Sequence, residues 1–393
     1  MEDKITESAG NAALERQQTL WRPEHSPAAQ AYLDAYLRER DGAPLDPDRL
    51  VDQPSGLDHR DIHSVINDRS VGERFFEVHC DLLHPTDSTY IDPVFGALHG
   101  QASIRAWLVP TMAAQDSGVG AVSFDPIFPA AFLDDGQGGT SVDEWVLMQQ
   151  VGDDWIPVTR GVSVREYRDG WITYAVDHFD TTPIRIGVAM AAAAGGPAME
   201  LPDWPRVPTD RWERPASDGP SPNVQAWLVN RTDGTRAPGL TNRELHELLF
   251  EVDRTPEYAT ITADVAHPTD GVYIDPVFGE VRGQETIRAW LTDVMPKVGN
   301  VEFEQTRPPV FDGDVSYSEW RQVAVLPDGS RVVMTRGASI RRYQDGWLVH
   351  AADYFDTAPM MDPEIQAASA AAGGTLTLED INRHRAVPIP DLS

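Results

Sequence analysis

Cysteine is nearly absent from this chain: Cys80 stands alone among 393 residues. A lone thiol excludes an internal disulfide and with it the disulfide-framed secreted folds, and it fits a reducing compartment. Basic residues are scarce too, 32 against 62 acidic ones, giving a formal net charge of −30. That charge repels phosphate backbones and anionic lipid surfaces, so neither nucleic acid nor membrane is an expected partner. No run approaches the roughly 18 apolar residues of a membrane helix. The start, Met1-Glu2-Asp3-Lys4, lacks the basic stretch and apolar run of a signal peptide. A cytoplasmic location is the expectation.

What is present is repetition. Residues 84–108 and 267–291 share 18 of 25 positions, among them His-Pro-Thr-Asp, Tyr-Ile-Asp-Pro-Val-Phe-Gly and Ile-Arg-Ala-Trp-Leu. Further matches follow in the same order. Glu144-Trp145 answers Glu319-Trp320, Thr159-Arg160-Gly161 answers Thr335-Arg336-Gly337, and Asp169-Gly170-Trp171 answers Asp345-Gly346-Trp347. Asp177-His178-Phe179-Asp180 answers Asp353-Tyr354-Phe355-Asp356. A repeat this long is a duplicated domain and not a solenoid module. The flanks recur as well, with Ser26-Pro27 matched by Ser221-Pro222 and Ala-rich runs ending at Gly195-Gly196 and Gly373-Gly374. The expected layout is an arm (1–57), a first unit (58–190), a Pro/Gly-rich join and arm (191–240), a second unit (241–361) and a C-terminal arm (362–393). Cys80 has Ala263 as its counterpart, which marks it as a small core residue and not a nucleophile.

Each unit starts helical and ends in strands. In the second, Thr241 caps a run with Leu245, Leu248, Leu249 and Val252 at helical spacing. A second helix is expected after Pro256, a short strand over 272–276, and a third helix over 287–295. Long strands are expected over 300–311, 315–326, 330–343 and 346–356, with turns at Asp312-Gly313, Asp328-Gly329 and Asp345-Gly346. Helices followed by an antiparallel meander predict an α+β unit with helices on one face of a curved sheet. The Ala-rich run 189–194 reads as a short helix.

This order of elements, with Tyr-x-Asp-Pro before the third helix and Asp-(Tyr/His)-Phe-Asp at the end, resembles the NTF2-like superfamily. Within it the nearest types are the SnoaL-like cyclases, ketosteroid isomerases and limonene-epoxide hydrolases. The resemblance implies two tandem cone-shaped units pairing within the chain as a pseudo-dimer, with a homodimer of chains also open. It also implies site residues. Asp275 and Asp92 fall where the isomerases place the general base. Tyr273 and Tyr90 match a tyrosine that holds the attacking water in the hydrolases, and Asp353 and Asp177 match the carboxylate that activates it. The hydrolases' Arg-x-Asp pair is missing, since those positions read Trp320-x-Gln322 and Trp145-x-Leu147. Ser339 and Ser163 stand where the isomerases have a protonated aspartate.

Spacing alone adds chemistry. Residues two apart on a strand share a face, so Tyr273 projects with Asp275 and Tyr90 with Asp92. By the same alternation Asp353 shares a face with Trp347, Val349, Ala351 and Phe355, one acid in an apolar stripe; Trp171 and Phe179 stand likewise in the first unit. Burial there raises a carboxyl pKa, and two neighbouring carboxyls split theirs, which suits acid–base work. Glu319 and Glu144, beside Trp, are candidate substrate contacts with Ser339 and Ser163. Arg288 and Arg105 read as surface residues of the third helix, and Arg336 and Arg160 as partners of an acid on the outer face. His84 and His267 precede Pro in a turn, and no converging ligands point to a metal. The sequence therefore predicts a cofactor-independent acid–base enzyme on an apolar small molecule, leaning to SnoaL-like epoxide opening or cyclisation. An isomerase, dehydratase or retro-aldol lyase, and a non-catalytic binder of an apolar metabolite, remain the alternatives.

Overall fold

The computed structural model describes residues 20, 23–94, 96–115, 122–133, 138–151, 154–186, 212–213, 219–231, 238–252, 255 and 257–384. The run 189–194 and Pro256 lie outside them. The chain divides into two compact units: Met1–His178 with Pro183–Val207, and Phe179–Thr182 with Pro208–Ser393.

Unit one runs α1 (Pro27–Glu39), α2 (His59–Ile66), α3 (Phe75–Asp81), β1 (Thr89–Asp92), β2 (Gly96–His99) and α4 (Gln101–Gln115). It continues with β3 (Val122–Pro126), β4 (Ala131–Leu133), β5 (Gly139–Val151), β6 (Asp154–Arg168) and β7 (Trp171–Phe179). Unit two repeats the order: α5 (Pro222–Val229), α6 (Asn242–Val252), α7 (Tyr258–Val265), β8 (Val272–Asp275), β9 (Gly279–Arg282) and α8 (Gln284–Val294). Then come β10 (Val301–Gln305), β11 (Val310–Asp312), β12 (Val315–Val325), β13 (Arg331–Gln344) and β14 (Trp347–Phe355), followed by α9 (Pro363–Ala371) and α10 (Leu378–His384). The sheets have the same topology, β2-β1-β7-β6-β5-β3 and β9-β8-β14-β13-β12-β10, with β4 on β5 and β11 on β12. Only β1 with β7 and β8 with β14 run parallel among the registered pairs. This is the α+β architecture the element order predicts.

Local chemistry explains the boundaries. Thr241 and Glu244 form a reciprocal capping box at the start of α6, Glu244 N–H to Thr241 Oγ1 at 3.2 Å and Thr241 N–H to Glu244 Oε2 at 2.8 Å. Asp345-Gly346 and Asp169-Gly170 both hold positive φ at two successive residues, as a two-residue hairpin turn requires. One expected strand divides: 300–311 becomes β10 and β11, because Pro308-Pro309 between them cannot donate to a ladder.

In unit two, Leu245, Leu248 and Leu249 of α6, Ile261 and Val265 of α7, and Ile287, Trp290 and Leu291 of α8 pack with Tyr273, Tyr343, Leu348 and Ala351 of the sheet. The flanking helices belong to these cores. Ala29, Leu33 and Tyr36 of α1 join the unit-one core, and Val224 and Trp227 of α5 join that of unit two. Arg105 is not a surface residue, and Arg288 is only partly exposed. Arg105 is fully buried against Asp81, and Arg288 Nη1 lies 2.6 Å from Asp264 Oδ1. Each pair ties the third core helix to the second, an acid of one helix meeting an arginine of the other.

Cys80 is buried and its thiol is pushed up to about 12, chiefly by desolvation, so it carries no thiolate at neutral pH. Ala263 fills the same place in unit two with complete burial. Cys80→Ala is expected to cost about 1 kcal/mol or less and to leave any turnover unchanged; a urea melt and a rate assay check both. Among the described residues no helix is long and apolar enough to cross a membrane.

Candidate active site

In both units the acid of the last strand, Asp353 or Asp177, is the centre of a hydrogen-bonded network. In unit two, β8 runs parallel to β14 with Tyr273 opposite Ala351, and Ser339 of β13 stands opposite Asp353 of β14. The Tyr273 hydroxyl donates to Asp353 Oδ2 at 2.5 Å and the Ser339 hydroxyl to Asp353 Oδ1 at 2.6 Å. Trp320 Nε1 donates to Ser339 Oγ at 2.8 Å, and Arg341 Nη2 reaches Asp353 Oδ1 at 3.0 Å and the Tyr258 hydroxyl at 3.2 Å. Unit one repeats the pattern: Tyr90 to Asp177 at 2.5 Å, Ser163 to Asp177 at 2.6 Å, Trp145 to Ser163 at 2.9 Å and Arg165 to Asp177 at 3.1 Å.

These contacts set the ionisation. Burial alone raises the Asp177 carboxyl, and Arg165 with the Ser163 and Tyr90 hydroxyls more than reverses that, holding it below its ordinary value. Burial and the adjacent carboxylate push the Tyr273 and Tyr90 phenols well above 10, so both stay protonated as donors. Asp275 behaves differently. Its Oδ1 accepts the backbone N–H groups of Val277 at 2.7 Å and Phe278 at 3.2 Å. Desolvation, then the negative charge of Asp353, raises it to about 7, more than those two amides lower it. Asp92 accepts the Val94 N–H at 2.7 Å in the same turn. The site thus pairs a donor-saturated carboxylate with a second carboxyl poised near neutrality.

Several expectations need correction. A register shift between Arg342 and Tyr343 leaves Val349 as an extra residue in β14, with His350 opposite Arg342 and Leu348 opposite Tyr343. The bulge turns Trp347 off the face of Asp353, where it packs edge-on against His267 at 5.6 Å; Trp171 packs the same way on His84 at 5.7 Å. Leu348 takes the place on the core face. Phe355 stays with the site, 5.8 Å from Trp320, and Phe179 closes β7 two residues past Asp177.

Glu319 and Glu144 stand on the other face of the sheet from the Tyr–Asp–Ser network. Each precedes a tryptophan that faces the site, so alternation sends the glutamate to the other face. There Glu319 is fully buried against Arg336, with Tyr317 donating at 3.0 Å and Thr306 at 3.2 Å. This pair is the outer-face partnership expected of Arg336. The His178/Tyr354 difference lies on that face too, since Tyr354 stands opposite Ala338 and Ala338 opposite Glu319. His84 and His267 act as turn acceptors, each taking a backbone N–H on Nδ1 at 3.0 Å, from Asp87 and Asp270.

Sequence reasoning missed Arg341 and Arg165. Their signal was present: Ser-x-Arg recurs in both copies, and serine and arginine two apart on a strand share a face. Each arginine reaches its acid from the neighbouring strand, Arg341 on β13 to Asp353 and Arg165 on β6 to Asp177. Tyr258, Trp320 and Trp290, whose ring lies 4.8 Å from Tyr273, complete the unit-two surroundings.

Fold and site define an α+β unit whose sheet face carries a Tyr–Asp–Ser–Arg network, with a second acid close enough to feel its charge. Residues 263–351, within the second unit, match the family model of the SnoaL-like domain, and the first unit repeats the second in sequence and sheet topology. No curated protein matches the chain. Among solved structures it is similar to a candidate SnoaL-like polyketide cyclase from Jannaschia sp. CCS1, at 16% identity over 33% of this chain and 90% of that one, TM-score 0.25. It is similar to a candidate isomerase of the SnoaL-like family from Agrobacterium tumefaciens at 18% identity over 30% and 99%, TM-score 0.25. An NTF2-like protein of unknown function from Burkholderia pseudomallei K96243 matches at 16% over 30% and 94%, TM-score 0.27.

Proposed function

We propose that unit two is a cofactor-independent proton-transfer enzyme for an apolar small molecule, with Asp275 as the group that takes and returns the proton. The observation that carries this is a buried carboxyl held near 7, close enough to Asp353 to feel its charge. A base matched to the ambient pH gives the best product of ionised fraction and basicity. Both Asp353 oxygens are taken up by donors, Tyr273 on one and Ser339 with Arg341 on the other, so Asp353 serves as the anchored acceptor of the network. That removes it as the activator of an attacking water, so hydrolytic epoxide opening loses support. Proton removal from carbon, as in SnoaL-like ring closure or double-bond isomerisation, fits better. The Tyr273 phenol, protonated and beside Asp275 on β8, gives its one proton to Asp353 and holds that carboxyl in place next to the base.

The test is 5-nitrobenzisoxazole, an apolar compound whose ring opens on loss of one carbon-bound proton. The rate is expected to rise with pH through an inflection near 7 and to fall roughly 10²-fold or more in Asp275→Asn. A chain whose rate and inflection survive that substitution does not use Asp275 as its base. If instead the probe binds both proteins equally without turnover, the binding-protein reading replaces the enzyme.

A further inference from the structure

The first core helix of each unit repeats a short motif, Arg60-Asp61-Ile62-His63 on α2 and Arg243-Glu244-Leu245-His246 on α6. Both arginines sit over a phenylalanine ring, Arg60 Cζ 4.4 Å from Phe132 and Arg243 Cζ 5.7 Å from Phe311. Both histidines pack on that same ring: His63 edge-on at 4.8 Å and 78°, His246 stacked at 5.2 Å and 18°. The frames agree, and they part at one position of the long strand. Unit one has Asp143 on β5 opposite Ser163; unit two has Ser318 on β12 opposite Ser339.

In unit one that acid meets the imidazole. His63 Nε2 lies 2.9 and 3.1 Å from the two oxygens of Asp143, both side chains are buried, and the Asn67 amide nitrogen lies 3.0 Å from the same Nε2. A carboxylate only accepts, so Nε2 carries the proton and Nδ1 the lone pair. The Asn67 amide, itself a donor, gives its proton to the His63 carbonyl at 3.1 Å, and among the described residues no hydrogen bond reaches Nδ1. In unit two His246 has no such acid; desolvation, then Arg243, lowers it to about 4, so it packs as a neutral ring. Asp143 shares the face of its cross-strand neighbour Ser163, whose hydroxyl bonds Asp177. Directly opposed strand residues hold their Cβ atoms about 4.5–5.5 Å apart. The imidazole therefore stands beside the Tyr90–Asp177 network on the same sheet face.

We propose that His63 and Asp143 form an acid–base dyad that makes unit one a second proton-transfer site, for a small molecule bearing an acidic C–H or O–H. Nδ1 takes the proton, the Nε2–H remains on Asp143, and the carboxylate stabilises the imidazolium. The same proton then returns to the product, so nothing is oxidised or reduced and no group is transferred. Unit one would thus use an imidazole where unit two uses a carboxyl, and the proposal does not rest on Asp275.

The experiment uses the full chain carrying Asp275→Asn, with 5-nitrobenzisoxazole as the probe. The residual rate is expected to fall roughly 10²-fold on adding His63→Gln, and to fall comparably with Asp143→Ser, which reproduces the arrangement of unit two. Diethyl pyrocarbonate labelling of the unsubstituted chain, read by peptide mass, is expected to modify His63 quickly and His246 slowly. This readout needs no variant to fold, and a purely structural histidine would not produce it. A residual rate indifferent to both substitutions, no residual rate above buffer, or a His63 as slow to label as His246 would each overturn the dyad.

Discussion

Replacing Arg341 with Met is expected to destabilise unit two by about 3–5 kcal/mol, because it leaves a buried carboxylate without its cation. Arg341 is buried on β13, and besides Asp353 its Nη1 donates to the carbonyls of Ile340 at 3.1 Å and Ala352 at 3.2 Å. Burial works against its charge, and Asp353 with Tyr258 and Tyr273 more than restores it. Removing both ends of the pair, Arg341→Met with Asp353→Asn, is expected to cost less than the sum of the single losses, because no unpaired charge remains. Urea melts with hydrogen exchange at unit-two amides measure this in a chain of two units, where one global transition cannot be assumed. Additive losses would mean that the two side chains do not act on each other.

The second large effect is on stability against pH. The Asp275 carboxyl is raised from 3.8 to about 7 in the folded chain, chiefly by desolvation. As pH rises the unfolded chain therefore ionises first, and the folded state loses stability from about pH 4 until the folded carboxyl itself ionises near 7. At about 1.36 kcal/mol for each of roughly three units, the loss is at most about 4 kcal/mol. Asp275→Asn removes this dependence. The variant is expected to gain on the parent between about pH 5 and pH 8, and to be the more stable of the two at the higher value. Asp356, raised to about 6 by burial, loads the same window but is present in both proteins and cancels. Thermal melts at the two pH values decide it: an unchanged difference would mean that Asp275 ionises as an ordinary surface acid. The substitution that removes the unit-two base would then be the one that stabilises the alkaline protein, a trade expected where a site holds an unfavourable ionisation for use.

Which parts of the site were visible in the sequence follows from the range over which each signal acts. Strand alternation over two residues puts Tyr273 and Asp275 on one face of β8, a strand too short to bulge. The same rule misplaced Trp347, because a bulge at Val349 on the partner-facing edge of β14 shifts the alternation, and nothing local in Trp347-Leu348-Val349-His350 announces it. Glu319 looked available beside Trp320, yet the register with β13 sends the two to opposite faces and pairs the acid with Arg336. Arg105 was read as a surface residue because its partner Asp81 lies on another helix.

By itself the sequence determined the duplication, the α+β order of elements and the identity of the recurring acids and tyrosines, all of which depend on residue types and spacings within one segment. Only the tertiary structure decided which side chains meet. Asp353 gains Arg341 across a strand pair, Asp275 acquires its raised ionisation from burial and from Asp353 together, and His63 finds Asp143 eighty residues away. Charge interaction and desolvation act through space, over a few ångströms that no spacing along the chain encodes.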